Sequence, residues 1–182
     1  MKDLKEFDIS FIGLKEGLHQ FDYNIKKEFF DFFNYNELND SNVQVSLAFL
    51  KKATLFELTF SFSGWVEIAC DLTNELYHQP IRTSSNLIVN FGDEFNNENE
   101  ELLIIPYSEF KLNIAQHIYE TIVLTIPLKR IHPGIADGTL KSDILDKLKD
   151  LEPKEIKEQT KKQDIDPRWN KLKDILIDKN TK

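Results

Sequence analysis

The sequence predicts an α+β fold, an antiparallel β-sheet, barrel-like or open, carrying one long helix on its face and a short helix at its C-terminal end. Three observations lead there. Val43, Val45, Leu47 and Phe49 alternate with mostly polar neighbours, and Phe56, Leu58, Phe60, Phe62, Val66, Ile68 and Cys70 keep a single parity. Such a period of two would scatter apolar groups all round a helix, so it marks strands with one buried face. From Asn113 the period becomes helical, with Ile114, Ile118 and Ile122 flanked by Ala115, Tyr119, Val123 and Ile126 in one wide apolar stripe. Finally, 14 Phe against a single Met require aromatic side chains to fill much of the core, which favours sheets.

Taken in order, Phe7, Ile9 and Phe11 alternate, then Phe21, Tyr23 and Ile25 after the Gly13 to Gly17 turn, predicting strands over roughly 5–11 and 20–25. KKEFFDFFNY from Lys26 to Tyr35 places four Phe on one face of a short helix of about three turns. Strands over 43–50 and 55–70 form a long hairpin across the polar Lys51 to Thr54 connector. Gly64 marks a bend or bulge where a side chain would not fit. Trp65, of opposite parity, either covers the second face under a helix or is an exposed docking aromatic. A strand over 86–91 runs into GDEFNNENEE, five acids and no base, expected as a mobile solvated loop. A strand at 102–105 and a helix at 112–126 follow, the latter packed on one face of the sheet and ended by Pro127. Ile144, Leu145, Leu148 and Leu151 have helical spacing before Pro153. The predicted organisation is a core domain at 1–150, a charged linker at 151–165 and a terminal helix and tail at 166–182. Asp166 as N-cap and Pro167 at the first helical position start that helix, with Trp169, Leu172 and Leu176 on one face. The narrow stripe needs a surface to dock on, and Trp169 is its anchor.

The net charge of −8 is unevenly spread. Residues 1–138 hold 11 Lys/Arg and 21 Asp/Glu, net −10, and residues 139–182 hold 12 and 10, net +2. An acidic body repels phosphate and lacks the footprint of an autonomous RNA binder. One cysteine, Cys70, permits no intrachain disulfide, so a reducing cytosol is the expected location. No stretch has the length and apolarity of a signal peptide or a membrane span, so no membrane association is expected.

Chemistry-bearing patterns are sparse. His19, His78, His117 and His132 are dispersed, with no HExxH and no histidine beside a nucleophile in a recognisable turn. His117, opposite the isoleucine stripe, is expected as a solvated helix residue. Phosphate-cradling glycine loops are missing from the sequence, and the acidic run lacks the alternating ligands and turn glycine of a Ca²⁺ loop. No enzyme activity, catalytic residue, metal ligand, cofactor or small-molecule substrate is expected, and nothing in the sequence fixes the oligomeric state. The candidates for contact with a partner are Lys129, Arg130 and His132 beyond the long helix, with Arg168, Trp169, Lys171 and Lys173 at the terminus. Cations at a helix C-terminus are equally explained by its dipole.

Five segments in sequence order, GLKEGLHQFDYNI, GWVEIACDLT, VNFGDE, NIAQHIYETIVLTIPLKRIHPG and DPRWNKL, resemble the YceD-like family over nearly the whole chain. The terminal DPRW resembles the version found in relatives of Bacteroidetes. The resemblance implies a non-catalytic role in synthesis, processing or stability of large-subunit (23S) ribosomal RNA, with ribosomal RNA, or a ribosomal protein or processing factor, as partner. An adaptor that binds such a protein without RNA contact is the alternative. Members of that family usually carry Cys-x-x-Cys where this chain has Cys70-Asp71-Leu72-Thr73, and often another cysteine at the position of Ser142. A thiolate site needs four donors, or three and a water, so one sulfur carries over no metal role. Cys70 is expected as a small, half-buried strand-end residue.

Overall fold

A computed structural model describes residues 4–99 and 101–151. Two compact units divide the chain, Met1–Asp146 and Lys147–Lys182. The first is built on strands. A 3-10 turn, Leu4–Phe7, leads into β1 (Asp8–Ser10), which pairs antiparallel with β8 (Lys111–Asn113) in a two-stranded sheet, Ile9 opposite Leu112. The main sheet has six strands, β2 (Gly17–Lys26), β3 (Asp40–Lys51), β4 (Leu55–Ala69), β5 (Leu76–Gly92), β6 (Asn96–Asn99) and β7 (Leu102–Pro106), in the order β2-β3-β4-β5-β7-β6.

The hairpin predicted from parity is β3–β4. Its register runs unbroken from Asp40 opposite Glu67 to Lys51 opposite Phe56. Inward positions Val43, Val45, Leu47 and Phe49 on β3 and Phe56, Leu58, Phe60 and Phe62 on β4 are all buried. Phe56 is the hub of the aromatic core, with Phe11, Phe49 and Phe91 at ring distances of 5.0, 5.1 and 5.2 Å. Pairs at this separation add to the area term of burial.

Several expectations are corrected. The sheet is open, with β2 and β6 at its edges, so the barrel-like alternative does not hold. It is also mixed rather than purely antiparallel: β5 and β7 pair parallel, because the chain goes out to the edge as β6 and returns between β5 and β6. The acidic run is therefore not a loop throughout. Asn96–Asn99 stays solvated, all four residues exposed, yet pairs with β7. At Gly64 there is no bulge, since Val43 and Ile81 flank it in continuous registers. The reason for glycine is close approach: at φ +152°, a Cβ there would lie 2.1 Å from the Asn42 carbonyl oxygen.

No long helix is present among the described residues. α2 spans Ala115–Thr125, because Leu112 and Asn113 are extended in β8 and Asn113 Oδ1 accepts from the Ala115 N–H at 3.0 Å. Its buried residues Ile118 and Ile122 are the predicted stripe, and Ile126 turns extended ahead of Pro127. α1 is only Lys27–Asp31, since Asn34 takes left-handed φ 54°. Phe29 and Phe30 are buried, Phe33 stacks on Tyr119 at 4.2 Å, and Phe32 is exposed. Two further helices are α3 (Pro133–Ala136) and α4 (Asp143–Leu151), the latter matching the predicted late helix. No helix among the described residues is long and apolar enough to cross a membrane. Of the predicted linker at 151–165 only Leu151 is described, and it is the last residue of α4; the rest of the linker and the terminal helix lie outside the described residues.

Candidate functional site

β4 and β5 are joined at one end of the sheet by a turn beginning at Cys70. The Cys70 N–H donates to the Glu75 carbonyl at 2.9 Å and the Asn74 N–H to the Cys70 carbonyl at 2.8 Å, with Asn74 left-handed at φ 58°. Asparagine tolerates that conformation better than most side chains. Beyond α2 the basic segment LKRIHPG reaches this turn and is bonded to it along its backbone. The Asp71 N–H donates to the Arg130 carbonyl at 2.8 Å, the Arg130 N–H to Asp71 Oδ2 at 2.7 Å, and the His132 N–H to Cys70 Sγ at 3.3 Å.

Each predicted cation has a definite place. Lys129 is exposed, with no ion pair among the described residues. Arg130 is not free: its Nη2 donates to Glu37 Oε2. The hydrogen bond and the charge of Arg130 hold the Glu37 carboxyl below its usual range, and Glu37 in turn raises the guanidinium. The His132 Nδ1 accepts from the Gly134 N–H at 2.9 Å and so caps α3, while the ring lies edge-on to Tyr77 at 5.4 Å. That cap requires Nδ1 without a proton. Arg168, Trp169, Lys171 and Lys173 lie outside the described residues.

Cys70 is fully rather than half buried, at 2% exposure. Burial pushes its thiol up, but the Thr73 hydroxyl and the N–H groups of His132, Leu72 and Thr73 favour the thiolate and bring it below its ordinary value. Thr73, itself buried, thus supplies a hydroxyl to the remaining sulfur at the position where the resemblance places a second thiol. Ser142 caps α4, its Oγ accepting from the Ile144 N–H at 3.4 Å and its carbonyl from the Leu145 N–H at 3.0 Å.

Two aromatic positions depart from expectation or decide an alternative. Trp65 projects from the face opposite α2 and stacks on His78 at 4.0 Å with rings 14° apart; no helix among the described residues covers it. His117 is not solvated. Its Nε2 is 2.9 Å from Ser85 Oγ and its ring 4.7 Å from Phe60, so α2 lays it on the sheet, and burial lowers its pKa against an opposing effect of Glu120. The Ser85–His117 bond was hidden because Ser85 lies in a half of β5 without apolar alternation. Ser85 sits within a strand, opposite Phe60, rather than on the exposed turn that presents a nucleophilic serine.

A family model described as large ribosomal RNA subunit accumulation protein YceD matches residues 58–176. The chain belongs to the YceD family. The matched span covers the Cys70 turn and the basic segment, and so all seven of the contact candidates named from the sequence of this YceD protein. β1 and the first two strands of the main sheet, β2 and β3, precede it. Neither a curated protein nor a solved structure matches the chain.

Proposed function

We propose that this YceD-family protein is a non-catalytic cytosolic factor in the synthesis, processing or stability of 23S ribosomal RNA, and that it works by holding a ribosomal protein or processing factor rather than by gripping RNA. The family description ties it to accumulation of the large ribosomal RNA subunit. The observation that favours a protein partner is the pairing of Arg130 with Glu37. A guanidinium that must first give up a carboxylate gains less from a phosphate, and counterion release supplies most phosphate affinity. His132 is engaged as a cap, which leaves Lys129 as the one cation of the basic segment without a partner among the described residues. One exposed lysine on a body of net charge −10 is a weak phosphate site.

The test is a titration of the purified full chain with transcribed 23S fragments at low salt, about 50 mM, and at higher salt. The expected result is no saturable binding at micromolar protein. Tight binding whose logarithm falls linearly with the logarithm of salt, with a slope reporting several phosphates, would overturn the protein-contact reading.

A further inference from the structure

Where β7, β8 and α2 come together the first unit has a cleft of about 530 Å³. Its floor is apolar: Ile105 and Leu112 are buried and Leu103 on β7 is partly so. Phe95, 58% exposed, stands at its rim. The charged groups around it do not balance. Asp8 is held by Lys111 at 2.5 Å and by the Asn113 amide at 2.6 Å, so the Asp8–Lys111 pair cancels. Glu109 and Glu120 remain, both exposed and without a cation among the described residues. Asp93, Glu94, Glu98 and Glu101, all exposed, extend the negative field along the neighbouring β6 hairpin. That hairpin also borders the cleft, through Asn97 and Asn99 of β6, the last strand in the sheet order.

We infer that this cleft is the docking site of a short extended peptide segment carrying both apolar and basic side chains, contributed by an RNA-binding protein. The inference rests on the protein-contact reading and gives the partner a chemistry. A protein that itself binds ribosomal RNA must carry lysine and arginine to neutralise phosphates, and those side chains complement Glu109 and Glu120. Their alkyl stems and neighbouring apolar residues suit a floor of Leu and Ile. Phe95 offers a ring face to a cation. An edge strand beside the cleft supplies main-chain partners to an extended segment, as in strand addition. Nucleic acid is disfavoured by the sign of the field.

The experiment uses the full chain and a short fluorescein-labelled synthetic peptide of alternating leucine and arginine, read by fluorescence anisotropy. The same peptide with glutamate for arginine is the control, and a labelled single-stranded RNA is titrated against the full chain in a separate assay. The Leu–Arg peptide is expected to bind and the Leu–Glu peptide not to. Glu109→Lys combined with Glu120→Lys should weaken binding roughly tenfold or more, and Phe95→Ala roughly threefold. All three side chains are exposed, and circular dichroism checks that the variants fold. Equal binding of both peptides, unaltered affinity in the variants, or RNA bound more tightly than the Leu–Arg peptide would overturn the inference. If the Leu–Arg peptide fails to bind while ribosomal proteins still co-purify after nuclease treatment, the cleft is the wrong surface and the protein-contact reading stands.

Discussion

Replacing Gly64 by Ala is expected to destabilise the protein by roughly 2–6 kcal/mol. Gly64 sits in β4 between Val43 of β3 and Ile81 of β5, with φ +152°, a conformation essentially confined to glycine. An added Cβ would lie 2.1 Å from the Asn42 carbonyl oxygen and 2.8 Å from Val43 Cα. Both atoms are backbone of the adjacent strand, so no side chain can swing aside. The first distance is 0.9 Å short of the 3.0 Å that real Cβ atoms respect. Either β3 moves, disturbing the buried row from Val43 to Phe49, or Gly64 abandons its conformation and with it the pairings on both sides. Holding a side chain in that region costs about 1–3 kcal/mol and forced overpacking about the same again. For a chain of this size the melting temperature should fall by roughly 5–15 °C. Gly13→Ala, with nothing within 4 Å of the added carbon, is the control and should be near neutral. Thermal and urea unfolding followed by circular dichroism measure both. A Gly64→Ala variant within about 0.5 kcal/mol of the parent would refute the close-approach reasoning.

Phe30, fully buried and packed against Phe29, Tyr35 and Tyr119, should cost about 3–5 kcal/mol as Phe30→Ala in urea unfolding. A double-mutant cycle of Glu37→Ala and Arg130→Ala should give a coupling of only about 0.5–1 kcal/mol that shrinks with salt, because Glu37 is 55% exposed; zero coupling would mean that Arg130 is free after all. His117 has its folded pKa depressed by burial, so the unfolded chain binds more protons between that value and about 6.5. Its contribution is fully present above the unfolded pKa and declines as pH falls through the window toward the folded one. The parent should lose more stability than His117→Gln between neutral pH and mildly acidic pH, and an equal loss in both would contradict this.

What could be read in the sequence was whatever depends on local period. The β3–β4 hairpin and the Ile118–Ile122 stripe follow from side-chain alternation alone. The first half of β5 did not show, because its inward positions Thr83 and Ser85 are polar and Pro80 interrupts it. Ser85 is tolerated there by His117, and Pro80 by the lack of a second strand neighbour, since β7 pairs only with Ile88–Gly92. Pairings over long separations leave no periodic trace. β1 with β8, and Arg130 with Glu37, each join residues more than 90 positions apart. That is why Arg130 looked like a free cation in the basic run LKRIHPG. β6 was hidden for another reason: its residues are all polar and exposed, and it is a strand only through its backbone pairing with β7. The Cys70 turn was legible only through the family resemblance, which shows what is replaced, whereas the Thr73 hydroxyl at the sulfur required coordinates.

The central claim is that this protein serves large-subunit ribosomal RNA through a protein partner. It is tested most directly by affinity purification of the tagged full chain from its own cells, in parallel with and without exhaustive nuclease treatment, followed by mass spectrometry. A ribosomal protein or processing factor is expected to stay bound after the RNA is gone. Loss of every ribosomal protein on nuclease treatment, with large-subunit RNA recovered in the untreated sample, would contradict it.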